Sequence, residues 1–128
     1  MQKPDATEVA LKIVPTGIGL QLGLADPSKA NASFLITDHY ALGYVFGYHD
    51  AVLQTLKVDN QTSCLAIMSV SYDTIFGGAT NAVPLLRKSL DLQQDEVFRN
   101  GMMKGGREAI AFLREQKPSF GLSTWLGN

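Results

Sequence analysis

Gly43, Gly47 and Ala51 stand four residues apart in an apolar, aromatic stretch, and Gly101, Gly105 and Ala109 repeat that spacing. Each triplet carries an acid just before its alanine, Asp50 in one and Glu108 in the other. A glycine inside a helix costs about 1 kcal/mol relative to alanine. Two in one helix therefore need a compensating reason, and the available one is close approach of another backbone. The two helices are expected to pack through their glycine faces. On a helical wheel each acid falls within ~20° of the first glycine of its triplet. Asp50 and Glu108 are therefore expected to border one shared cleft.

The first glycine helix should span about 33–57, capped by Asn31 or Ser33. Leu35, Leu42, Val45, Phe46, Val52, Leu53 and Leu56 form one apolar arc on its wheel, and Tyr40, Tyr44 and Tyr48 form a stripe. His39, Gly43, Gly47, Asp50 and Gln54 fall between the two. Such a helix is buried on most sides, so the rest of the chain is read as packed around it.

Further helices are expected over 62–76, ended by Gly77-Gly78, over 82–90, with Pro84 in the first turn, and over 94–117. Upstream, Val9, Leu11 and Ile13 alternate with polar or small residues, as do Ile18, Leu20, Leu22 and Leu24, around Pro15-Thr16-Gly17. Two period-2 runs about a Pro/Gly turn read first as a β-hairpin over 8–24, with a short helix over 4–14 competing. The segment 118–128 carries Phe120, Leu122, Trp125 and Leu126, so it is expected to pack back or to dock on a partner. The fold class expected is mainly α: a single small domain of four to five helices around a buried central helix, with the N-terminal β-hairpin attached.

At 128 residues and a net charge of −1, the chain has length enough for one core and no basic excess for phosphates or an anionic membrane surface. Neither nucleic acid nor membrane is expected as a partner. One cysteine, Cys64, excludes an intrachain disulfide, and a cytoplasmic location is the default. The start MQKPDATEV is not a signal peptide, and a periplasmic or secreted location follows only if one has been removed.

No nucleophile–base pair and no metal-ligand spacing is present, so no catalytic residue, metal or cofactor is assigned, and the chain is read as leaning away from an enzyme. His39 and His49 lie about 15 Å apart along a helix and cannot share a metal. His49 is expected to be a buried, hydrogen-bonded core histidine. Cys64 near a helix start could carry a lowered thiol pKa, although inert buried cysteines are the commoner case. Asp73, alone in an uncharged segment, is read as an exposed edge. Met102 and Met103 are read as gap-filling core. The residues assigned to a ligand site, if there is one, are Asp50, Glu108, His39, Tyr40 and Gln54. Gly43, Gly47, Ala51, Gly101, Gly105 and Ala109 are assigned to helix packing.

The string ALGYVFGYHDAVLQ, residues 41–54, resembles the first helix of small periplasmic all-helical immunity proteins that neutralise secreted toxins. The resemblance implies a toxin-neutralising inhibitor. Those proteins usually carry paired cysteines, where this chain has one. The first functional expectation remains a non-enzymatic binding or interaction module that self-associates as a homodimer or higher. A small-molecule or metal site between the glycine-notched helices is the alternative.

Overall fold

A computed structural model describes residues 5–127. They form seven helices and no strand: α1 (Ala6–Leu24), α2 (Ala32–Leu35), α3 (His39–Thr55), α4 (Gln61–Phe76), α5 (Ala79–Asp91), α6 (Glu96–Glu115) and α7 (Gly121–Trp125). Among the described residues no helix is long and apolar enough to cross a membrane.

The β-hairpin expected over 8–24 is overturned, since that segment is the single helix α1. Asp5 caps it, its side chain accepting from the Thr7 N–H at 2.8 Å. The buried residues are Ala10, Val14, Ile18 and Gln21, a stripe at helical spacing that rests on α4 and α3. The alternating leucines suggested strands, but the helical stripe has a core to enter and the alternation does not. Pro15 lies inside α1 and cannot donate to the Leu11 carbonyl. Burial of the stripe and the Asp5 cap offset that loss.

The helix expected over 33–57 is two helices. Asn31 caps α2 by accepting from the Phe34 N–H at 3.0 Å, and Asp38 caps α3 by accepting from the Ala41 N–H at 3.0 Å. Asp38 has an extended backbone, with φ −106° and ψ 97°. A short acidic side chain that satisfies an orphan N–H lets a helix restart there. Asn60 caps α4, its side chain accepting from the Ser63 N–H at 3.0 Å. Gly77 ends α4 in the left-handed conformation at φ 78°. The helix expected over 82–90 begins earlier, at Ala79, which moves Pro84 from the first turn to the second. Asp95 caps α6 through the Phe98 N–H at 2.9 Å.

α3 is the hub. From Ala41 to Leu53 every residue except Asp50 is buried, and α3 touches each of the other six helices. α7 folds back onto the body, burying Leu122 and Leu126.

α3 and α6 form the most extensive contact in the molecule. A Cβ built on Gly43 would fall closer than 3.0 Å to the Phe98 carbonyl, and one on Gly101 equally close to that of Tyr40. A Cβ on Gly47 would meet the Met102 carbonyl, and one on Gly105 the Tyr44 carbonyl, just as closely. The contacts advance in the same direction on both helices, so the pair is parallel. They also exchange under swapping of the helices: Phe98 precedes Gly101 as Tyr40 precedes Gly43, and Met102 follows Gly101 as Tyr44 follows Gly43. The pair therefore has a local pseudo-two-fold axis running between and along the helices.

Candidate functional site

The pseudo-symmetry decides where the two acids go. A two-fold axis running along a parallel pair carries the front of one helix to the back of the other. Matched side chains beside the seam must then emerge on opposite faces. The shared cleft expected for Asp50 and Glu108 is accordingly absent, and each acid has its own surroundings.

On one face, Glu108 is covered. Its Oε1 accepts the Tyr44 hydroxyl at 2.5 Å and the Gly121 N–H at 2.9 Å, while Lys104 pairs with its Oε2 at 3.2 Å. The Tyr44 oxygen in turn accepts from Gln21 Nε2 at 2.9 Å. Gln21 Oε1 accepts from the N–H groups of Leu122 at 2.8 Å and Ser123 at 3.2 Å. Burial first, and then the Glu108 hydrogen bond, push the Tyr44 hydroxyl well above the usual tyrosine range. Tyr44 is therefore the proton donor to Glu108. This network satisfies the first N–H groups of α7, which has no side-chain cap of its own.

On the other face, Asp50 borders an open groove of about 370 Å³. Gly47, Asp50, Ala51, Gln54 and Thr55 of α3 line one side, and Met102, Met103, Gly106, Ile110 and Arg114 of α6 line the other. Gln54 donates to Asp50 Oδ2 at 2.8 Å. Burial raises the Asp50 carboxyl above its ordinary value, and the Gln54 hydrogen bond opposes this in part. Arg114 takes part in no ion pair among the described residues. Met103, expected in the core, is an exposed wall of this groove.

The residues assigned to a ligand site thus divide. Asp50 and Gln54 stay together. His39 sits 3.3 Å from Asp95 at the start of α6. Tyr40 stacks on Trp125, with ring centroids 4.1 Å apart. Among the described residues no group of three or more His, Cys, Asp or Glu side chains gathers as a metal site would require.

His49 is buried, with Nδ1 at 2.7 Å from the Val45 carbonyl and Nε2 at 2.7 Å from Ser71 Oγ. A carbonyl only accepts, so Nδ1 carries the proton and Ser71 donates to Nε2. Burial lowers the His49 pKa from 6.5 to about 4, so the ring is a neutral core group. Cys64 donates to the Val58 carbonyl at 3.2 Å, and burial pushes its thiol pKa up, opposite to an activated nucleophile. Asp73 is exposed.

Sequence reading missed Gln21 and Arg114. Gln21 was hidden by the strand reading of α1, although a lone amide recurring in register with Ala10, Val14 and Ile18 marks a polar group on a core face. Arg114 gave no signal without the partner helix.

Comparison with protein-family models, with curated proteins and with solved structures gives no match to this chain. The residues that carry the resemblance to immunity proteins are almost all buried in α3, where Gly43, Gly47 and Ala51 lie at or beside the α6 contact.

Proposed function

We propose that this chain is a non-enzymatic interaction module that self-associates through the apolar face between α1 and the α6–α7 connection. The observation that carries this reading is a groove lined by Gly17, Leu20, Leu24, Tyr48, Phe112 and Phe120, among others, with no charged side chain among the described residues that line it. Leu20, Leu24, Phe112 and Phe120 are between 38% and 66% exposed, a concentration that single scattered surface leucines do not produce. A second copy is the occupant favoured by charge. An isologous contact sets a patch against itself, so any charge within it would face its like. This patch has none, and a net charge of −1 leaves little long-range repulsion between copies.

Size-exclusion chromatography with light scattering at about 50 μM, in the range where weak dimers with micromolar Kd are populated, tests the reading. A dimer that Leu20→Glu and Phe120→Glu each convert to monomer is expected. A clean monomer, or a dimer unaffected by both changes, overturns it, the first outcome leaving the face to a different protein partner.

A further inference from the structure

The two faces of the α3–α6 pair are built alike, yet among the described residues only one is filled from within the chain. On the Glu108 face, a segment of polypeptide lies against the pair. Ser119 Oγ donates to the Glu108 carbonyl at 3.4 Å, Gly121 gives its N–H to the Glu108 carboxylate at 2.9 Å, and Leu122 is fully buried beyond it. The approach is close. A Cβ on Gly121 would come within 2.9 Å of both Glu108 oxygens and 3.0 Å of the Tyr44 ring.

On the Asp50 face the corresponding place is open. Gly47, Asp50, Ala51 and Gln54 line it where Gly105, Glu108, Ala109 and Phe112 stand on the other side. Met102 and Ile110 stand in the positions of Tyr44 and Val52. One difference enlarges it: Gly106 occupies the position matched by Tyr48 on α3. Above Gly106 the nearest atoms a Cβ would meet are the Gly47 carbonyl oxygen at 3.7 Å and the Ala51 Cβ at 3.8 Å, an ordinary contact. With Gln54 on Oδ2, Asp50 Oδ1 has no donor among the described residues. Arg114 adds a positive charge to the lining and pairs with no carboxylate among the described residues.

We propose that the Asp50 groove is a binding site for a short polypeptide segment of a partner protein that begins a helical turn there, as α7 does at Glu108. Asp50 takes a main-chain N–H of that segment as Glu108 takes that of Gly121. The segment has a small residue at the N–H donor, because the floor of glycine and alanine admits a backbone and the acid sits close to it. An apolar side chain follows, against Met102 and Ile110. A carboxylate, from a side chain or a chain end, meets Arg114, which offers a planar fork of donors. The site lies on the face opposite the Leu20–Phe120 patch, so it is independent of self-association.

The chain's own α7 segment supplies the natural probe. The peptide PSFGLSTWL, with a free C-terminal carboxylate, is titrated into the isotope-labelled full-length protein and followed by amide shifts. Saturable shifts at Gly47, Ala51, Gly106 and Ile110 are expected at about millimolar peptide, the range of a short unconstrained segment. Asp50→Ala should weaken binding by about tenfold, the effect of losing one hydrogen bond to a charged group. A peptide with proline in place of its glycine lacks the donor and should weaken by a similar factor. Gly106→Tyr, which introduces the side chain found at the matched position of α3, should abolish the shifts, while circular dichroism shows the helix content retained. Absence of saturable shifts overturns the proposal. So do shifts that survive Gly106→Tyr, or shifts confined to residues around Phe112 and Gly121, which would report exchange with α7 itself.

Discussion

Tyr44 of α3 donates its hydroxyl hydrogen to Glu108 of α6 at 2.5 Å, across the seam where the two helices touch. That bond joins the central helix pair to the C-terminal segment, because Glu108 also holds Gly121 and Tyr44 also holds Gln21. Tyr44→Phe leaves Gln21 Nε2 without its acceptor inside the core. A buried donor left unsatisfied costs about 1–3 kcal/mol. Urea unfolding should show that loss. Protection of the Leu122 and Ser123 amides from exchange should fall with it, since Gln21 holds both. Unchanged protection would show that α7 is held by apolar contact alone.

The glycines divide into two groups with opposite expected responses to alanine. At Gly43, Gly47, Gly101 and Gly105 a Cβ would run into partner backbone, which cannot swing aside. Each substitution should cost about 1–3 kcal/mol or more through overpacking, despite alanine's better helix propensity. The pseudo-symmetry makes Gly43→Ala and Gly101→Ala comparable in cost. Among the described residues nothing lies within 4 Å of a Cβ at Gly19 or Gly23 in α1, so Gly19→Ala and Gly23→Ala should each stabilise by roughly 0.5–1 kcal/mol. Thermal melts of the six variants separate the groups.

His49 should make the protein acid-sensitive well above the carboxylate range. Its folded pKa of about 4 lies below its ordinary value of 6.5. The unfolded chain therefore takes up a proton first as pH falls. The stability associated with the neutral ring is complete above pH 6.5 and declines toward pH 4, by roughly 3 kcal/mol in all. Asp26 and Asp95, both with lowered pKa values, act below their ordinary 3.8 and so outside this window. Burial of Asp50 works in the opposite sense, favouring the fold as acid is added. Urea midpoints between pH 7.5 and 4.5 should fall for the native protein, and His49→Gln should flatten most of that fall.

Asp38 serves two helices at once. It caps α3 through Ala41, and its oxygens accept from Trp125 Nε1 at 3.2 Å and 3.0 Å. Asp38→Ala should cost about 1–2 kcal/mol for the cap alone. Trp125 is the only tryptophan, so its emission reads the local effect. A red shift in the native state is expected as the indole loses its partner and its stack on Tyr40 loosens. An unchanged spectrum would assign the position of α7 to Leu122 and Leu126.

The α1 helix tolerates Pro15 at a cost. Pro15→Ala restores an N–H that can reach the Leu11 carbonyl, and an interior proline costs about 3 kcal/mol. A rise in melting temperature is expected, and its size measures how far the helix has already adapted to the proline.

The sequence by itself determined the local features. Asn31 announces a helix start because a short polar side chain can hold an orphan N–H without help from the fold. Gly77 announces a stop because the left-handed conformation is free only to glycine. The glycine spacing of 43–51 and 101–109 marked both helices as notched, because glycine in a helix demands an explanation. Only the tertiary structure decided what those features amount to. Alternation in 8–24 reads as strand until Ala10, Val14, Ile18 and Gln21 find a core to enter. The spacing of Asp50 and Glu108 from their glycines is the same whether two helices run parallel or antiparallel, and the face each acid reaches depends on that choice. Parallel packing about a pseudo-two-fold axis sent Glu108 under α7 and left Asp50 beside an open groove with Arg114, a neighbour sixty-odd residues away that no local pattern could supply.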